Sequence, residues 1–307
     1  MLGHEFQFFS TPLSSAKYNI LLELSEIPAG IMPRLFSKKI SQNSITYDDG
    51  SVRWNDYFGK ALTYLDYQTG HAIIYSPSID FIHELAYLMI LSLSGKAMDQ
   101  QGLHKIHACG ISYADKNIIV SLPSKGGKTT LFLELCKQPD VKLISDDTPV
   151  IDSQGSIHPF PLRVGVEVIP DWIAKKDFPV FKREKFSDKF LIPLQDLNRS
   201  IYSPSNNPNL FIIGLRSSGD YPQIYRATSL QAFKALFEHM IIGIGLPMVV
   251  EYFVKNDLKD WIVLFKIFCK RTFAAIAFWR KSRVYFFIMS SDPKANAEYL
   301  LNRVKDL

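Results

Sequence analysis

Asn117-Ile118-Ile119-Val120-Ser121-Leu122, then Pro123-Ser124-Lys125-Gly126-Gly127-Lys128-Thr129-Thr130, then Leu131-Phe132-Leu133-Glu134-Leu135-Cys136: this stretch, with Leu143-Ile144-Ser145-Asp146-Asp147 shortly after it, decides how the chain is read. A β-branched apolar run halted by Pro123 has the composition of a strand end, not of a helix. The glycine pair opens a helix near Lys128, and a second short apolar run delivers two adjacent aspartates.

Strand, tight loop, helix, strand, acid pair is an arrangement suited to a polyphosphate and its metal. Backbone N–H groups at a helix start lack intrahelical partners and point at an anion. Lys128 adds a compact positive charge, Thr129 a hydroxyl within reach of Mg²⁺, and an aspartate at the next strand's end a ligand for that ion. The usual loop pattern, G-x-x-x-x-G-K-[ST], is met in Gly127-Lys128-Thr129, while Leu122 stands where the first glycine belongs. The expected nucleotide cradle is Ser124, Lys125, Gly126, Gly127, Lys128, Thr129 and Thr130, and the expected cofactors are ATP and Mg²⁺.

With 307 residues, 47% of them hydrophobic and 21% charged, the chain is of globular composition and can bury a large core. A net charge of +5 admits an anionic substrate, an acidic partner or a membrane surface without choosing among them. No Lys/Arg stripe with interleaved aromatics and no zinc spacing occurs, which argues against nucleic acid as a partner. Three scattered cysteines imply no disulfide framework, and residues 1–9 lack the basic-then-apolar order of a secretory signal, so the expected location is cytoplasmic. The apolar runs at 85–93 and 240–250 are too short to span a bilayer.

Outward from the central stretch, strands are expected at 18–24 and, around an Asp48-Asp49-Gly50 turn, at 45–54, with a hairpin at 61–67 and 71–75, and a buried helix from Ile79, capped by Ser78, to a stop at Gly95. This region, 1–100, reads as a small N-terminal domain and 101–307 as the nucleotide-binding domain. A single strand at 103–111 precedes the central one, and a hairpin at 149–159 follows the acids. Strands recur at 210–215, 223–225 and 284–289. Helices are expected at 229–240 with Ser229 as cap, at 246–253, at 257–275, and from Pro293 after Ser291 or Asp292. The charged run between Asp171 and Pro208 is either a solvated face or a substrate-facing segment, with Arg183 and Lys185 able to grip an acidic substrate.

His107 in Leu103-His104-Lys105-Ile106-His107-Ala108, the loop Ser124 to Leu131, the acids Asp146-Asp147, the turn Asp152-Ser153-Gln154-Gly155 and Pro159-Phe160-Pro161 occur in that order. Together they resemble the HPr kinase/phosphorylase-related family, whose core is in turn similar to the nucleotide domain of phosphoenolpyruvate carboxykinase. The likeness covers 104–165. It implies an α/β fold of mixed sheets, with a P-loop-containing kinase core beside a small N-terminal α/β domain, and transfer of an ATP phosphoryl group to a hydroxyl. The acceptor is a serine of a peptide or protein, or a small molecule, and a homo-oligomer is plausible from the family. Leu162-Arg163-Val164-Gly165-Val166 only faintly echoes the stretch such proteins use for the reverse reaction, which points to a diverged kinase of a specialised pathway.

Phosphoryl transfer needs anion neutralisation, a metal, an in-line acceptor and a group to take the acceptor's proton. Lys128 and the loop amides are expected on the β-phosphate, Thr129 and Asp147 on Mg²⁺, and Asp146 as the group that orients or deprotonates the acceptor. His107 is placed to polarise the acceptor or contact the γ-phosphate, and Arg163 and Arg216 to meet developing charge. Two other readings remain: a non-catalytic nucleotide-binding scaffold that delivers a peptide, and, less strongly, a carboxykinase-like decarboxylating enzyme.

Overall fold

The computed structural model describes residues 2–9, 19–28, 30, 37–41, 43–48, 50–123, 125–174, 176–181, 187–246 and 258–307. The chain is mixed α/β and divides into two compact units, Met1–Lys96 with Pro247–Lys266 and Ala97–Leu246 with Ile267–Leu307. The division thus falls inside a helix, just before residue 100, and groups 247–266 with the first unit.

In the first unit, strands β1 (Asn19–Leu24), β2 (Ser37–Ile40), β3 (Ile45–Asp48), β4 (Val52–Asp56), β5 (Leu62–Asp66) and β6 (His71–Ser76) form one sheet in the order β1-β6-β5-β4-β3-β2. Only β1 and β6 pair in parallel. The expected strand at 45–54 is two strands joined by a turn, in which Asp48 Oδ1 accepts from Gly50 N at 2.7 Å. Helix α1 (Ile79–Gln100) packs Ile82, Leu85 and Ala86 against Ala61 and Ile74. It runs through Gly95, because a mid-helix glycine costs only about 1 kcal/mol, less than buried apolar contacts return.

The second unit holds β7 (Leu103–Lys105), β8 (Cys109–Tyr113), β9 (Lys116–Ser121), helix α2 (Lys128–Leu135), β10 (Lys142–Ser145), β11 (Val150–Asp152), β12 (Ile157–His158), β13 (Arg163–Val166), β14 (Val180–Phe181) and β15 (Lys189–Pro193). After them come β16 (Asn209–Arg216), β17 (Gln223–Arg226), helix α3 (Ser229–Leu236), helix α4 (Leu258–Arg280), which belongs to this unit from Ile267 on, β18 (Ser282–Met289) and helix α5 (Pro293–Asp306). The main sheet runs β10-β8-β9-β16-β18-β17, with β12-β11-β7 and β13-β15-β14 as smaller sheets. β9, β16 and β18 are parallel, while β8 pairs antiparallel with both β9 and β10. β10 therefore runs in the same direction as β9, although β8 separates them.

Side-chain alternation along the central strands divides the core into two layers. Ile118, Val120, Leu210 and Ile212 pack with Leu131, Leu135, Leu300 and Leu301 of α2 and α5. Ile119 and Phe211 pack with Ala232, Leu236, Ala274 and Phe278 of α3 and α4. Helix α3 is capped by Thr228, not Ser229, because Thr228 and Gln231 form a reciprocal capping box. It continues as a π-turn, Phe237–Ile242. The helix expected at 246–253 lies almost wholly outside the described residues. Among those described, no helix is long and apolar enough to cross a membrane.

The expected strand at 103–111 is two strands in different sheets. Three N–H groups at the break go to three places: Ile106 N to Pro149 O at 3.0 Å, His107 N to His239 O at 2.9 Å, and Ala108 N to Asp147 O at 3.1 Å. The break is anchored by a buried network. Asp99 accepts from His104 Nδ1 at 2.8 Å and from Arg271 Nε and Nη2 at 3.0 and 2.6 Å. Arg271 Nη1 donates on to the Met240 and Ile241 carbonyls, tying the π-turn to the same point.

Candidate active site

β9 and β10 deliver the loop and the acid pair to one edge of the main sheet, since both strands run the same way. Leu122 is wholly buried in the core. It has room because Gly214 lies opposite: a Cβ there would sit 2.5 Å from Leu122 Cδ2. The chain then turns, with Gly126 N donating to Pro123 O at 2.9 Å and left-handed φ values of 62° at Lys125 and 89° at Gly127. Gly127 is the N-cap of α2 and supplies no side chain to it, so the first N–H groups of the helix are left for another acceptor. Ser124 lies outside the described residues.

Five predicted side chains meet above this helix start. Thr129 Oγ1 donates to Asp146 Oδ2 at 3.2 Å. Lys128 Nζ pairs with Asp147 Oδ1, and His107 Nε2 stands 3.4 Å from the same oxygen. Asp146 is 6% exposed, and its Oδ1 is buried with no hydrogen-bond partner. The Asp147 side chain is 49% exposed. These partners divide the acids the opposite way from the sequence expectation, in which Thr129 worked with Asp147 and Asp146 faced the acceptor. Ser145 ends the strand, so the two carboxylates follow the turn and take different depths, not opposite sheet faces.

Burial, and then the neighbouring Asp147 charge, push the Asp146 carboxyl up to about 7, against the pull of Lys128 and the Thr129 hydroxyl. Desolvation by the crowded surroundings pulls Asp147 upward even though its side chain reaches solvent, but the His107 hydrogen bond and the Lys128 ammonium outweigh it and hold Asp147 well below the usual carboxylate range. Asp147 is thus an anion at neutral pH, and Asp146 is poised between its two states.

One contributor escaped the sequence reading. His239, on the π-turn, stacks obliquely on His107 with ring centroids 5.7 Å apart. Burial, then the charges of His107 and Lys128, bring His239 down to about 4, so it is neutral at physiological pH. The visible signal was the interrupted helix itself, since π-turns gather at functional positions. Lys189 on β15, in the charged run that the sequence offered as a solvated or substrate-facing segment, adds a weak charge effect on Asp146. Gly245 seats the His107 ring: at φ 90°, a Cβ on it would lie 2.5 Å from Cε1 and Nδ1.

The remaining predicted residues are dispersed. Arg216 ends β16 and lines a small hollow with Gly126, Gly127, Thr130 and Leu131. Arg163 begins β13, in the small sheet with β15 and β14. Lys125 and Thr130 are exposed on the loop and the first turn of α2. Arg183 and Lys185 lie outside the described residues.

The donor set suits Mg²⁺. That ion takes one or two protein oxygens and fills its octahedron with water and substrate phosphates. Thr129 Oγ1 and the unpartnered Asp146 Oδ1 are such oxygens. Among the described residues no group of three or more His, Cys, Asp or Glu gathers as a metal cage. Comparison with protein-family models and with curated proteins finds no match to this chain.

Proposed function

We propose that the chain is an ATP- and Mg²⁺-dependent phosphotransferase acting on a hydroxyl group, of the HPr kinase-like kind that its sequence resembles. The observation that carries the reading is the unpartnered, buried Asp146 Oδ1 beside the Thr129 hydroxyl, at the start of a helix whose first amides are uncapped. Buried polar atoms are almost always satisfied, so an orphan carboxylate oxygen at an anion-binding helix end marks a ligand position.

The acceptor hydroxyl oxygen attacks the γ-phosphorus, the bond to the β,γ-bridging oxygen breaks, and ADP departs. Asp146 and Thr129 are the residues that would hold Mg²⁺, which would supply charge neutralisation for the transferring phosphate. Lys128 and the amides opening α2 hold the β-phosphate end. Asp147 faces solvent beside His107 and receives the hydroxyl proton. Lys128 is paired with Asp147 in this structure. The acceptor class is a serine of a peptide or protein, or a small metabolite.

The test is γ-labelled ATP with serine peptides and small polyols, read by intact mass. Asp147→Asn should bind MgATP as the wild type does and transfer about 10²–10⁴-fold more slowly, the usual worth of a positioned base. Wild-type transfer by that variant removes Asp147 from the role. Saturable MgATP binding with no transfer to any acceptor or to water favours the scaffold reading.

A further inference from the structure

His107 is held by the chain from two directions, and one buried ion pair reaches both. His104, three residues before it, donates from Nδ1 to Asp99 Oδ1 at 2.8 Å. From the other direction comes the π-turn with His239, whose carbonyl accepts from His107 N at 2.9 Å and whose ring lies against the His107 ring. Arg271 joins the two. Its Nε and Nη2 grip the Asp99 carboxylate as a fork, and its Nη1 donates to the Met240 and Ile241 carbonyls at 3.3 and 3.4 Å. The return from the π-turn then touches both guanidinium and imidazole. A Cβ on Gly243 would lie 3.0 Å from Arg271 Nη1, and one on Gly245 would lie 2.5 Å from His107 Nδ1. All of these residues belong to the second unit.

Packing alone does not require charges at this spot. Asp99 and His104 are wholly buried and Arg271 is 2% exposed. Taking such a pair out of water costs about as much as its attraction returns, so apolar side chains of similar volume would hold the layers as well. What apolar side chains lack is direction. The planar fork fixes the guanidinium against the carboxylate, and the third nitrogen then fixes where two successive carbonyls point. Direction matters here because His107 Nε2 stands 3.4 Å from Asp147 Oδ1, near the outer limit of a hydrogen bond. A small shift of the π-turn is enough to undo it.

Resting on the phosphotransferase reading, we infer that Asp99 and Arg271 are positioning residues for the transfer: the pair holds the π-turn, and through it the His107 ring, against Asp147. Both are too deeply buried to touch donor or acceptor, so the pair acts on the rate through His107.

Arg271→Lys tests this, because it keeps a cation for Asp99 and gives up the fork and the reach to the two carbonyls. With γ-labelled ATP and serine peptides or polyols, transfer should fall about 10²-fold, the worth of a misplacement of about 1 Å, with MgATP affinity within about twofold of wild type. In a His107→Ala background the same substitution should cost nothing further, because residues that act as one unit are not additive. A purely structural role would slow both backgrounds by the same factor. Magnetic-resonance spectra of protein carrying isotope-labelled histidine give a readout free of turnover. Arg271→Lys should move the His107 and His239 ring signals and leave that of exposed His71 in place. Asp99→Asn with Arg271→Met, which removes both charges at once, is the second variant and should behave alike. Wild-type transfer by folded Arg271→Lys, an undiminished loss in the His107→Ala background, unmoved ring signals, or failure of both variants to fold would overturn the assignment. Absence of transfer by the wild-type protein, with the ring signals still moving as expected, removes the phosphotransferase reading and keeps the pair's hold on His107.

Discussion

Gly245→Ala separates the placement of His107 from general stability. The backbone at Gly245 has φ 90°, a left-handed geometry that costs a residue with a Cβ about 1–2 kcal/mol. The added Cβ would stand 2.5 Å from His107 Cε1 and Nδ1 and 3.0 Å from Nε2, where carbon contacts settle at about 3.5–4.0 Å. The ring must therefore retreat by about 1 Å. His107 Nε2 is already 3.4 Å from Asp147, so a retreat of that size in the wrong direction ends the interaction. Misplacing a catalytic group by 1 Å costs about 10²-fold in rate. Gly59→Ala is the control: its φ is 78°, and nothing lies within 4 Å of its Cβ position. Gly59→Ala should lose about 1–2 kcal/mol of stability, and Gly245→Ala about 1–3 kcal/mol more, because the packed His107 ring must also be displaced. Only Gly245→Ala should lose transfer, by about 10²-fold in the γ-labelled assay, with MgATP affinity near the wild-type value. Transfer by Gly245→Ala within threefold of Gly59→Ala would refute the role given to His107.

Further predictions concern the acid pair and the loop. Asp146 is raised from 3.8 to about 7, so the folded state holds its proton more tightly than the unfolded chain. Its contribution is complete below about 4 and is lost as pH rises through about 7. In metal-free protein the melting temperature of Asp146→Asn, relative to wild type, should climb between pH 4 and 8, and a flat difference would contradict the burial argument. Leu122→Ala should cost about 2–5 kcal/mol in urea unfolding, since the side chain is fully buried against Gly214. A cost under about 1 kcal/mol would mean that Leu122 is not a core residue.

The local grammar of the chain was readable where short-range chemistry decides the outcome. Pro123 ends β9, the glycines open α2 at Lys128, Asp292 caps α5, and the hairpins at 62–76 and 150–158 follow their turn residues. Sheet order was not readable, because pairing β9 with β16 and placing β8 beside β10 depends on partners distant in sequence. The break at 106–108 was hidden for the same reason: His239, Asp147 and Pro149 claim its N–H groups. Gly95 misled because local propensity is weaker than the packing of a long helix. At the candidate site, motif spacing singled out Lys128, Thr129, Asp146 and Asp147, and the family resemblance His107; the structure brings the five together, while the partners of each aspartate depended on how the chain turns after β10. His239 carried no motif, and its nearness to His107 exists only in three dimensions.

The measurement that bears most directly on all of this is calorimetric titration of well-folded protein with ATP, with and without Mg²⁺, alongside Lys128→Ala. The account predicts saturable binding that strengthens when the ion is present and collapses in the variant. Heat-silent titrations under both conditions, or affinity that ignores magnesium and survives loss of the Lys128 ammonium, would contradict it.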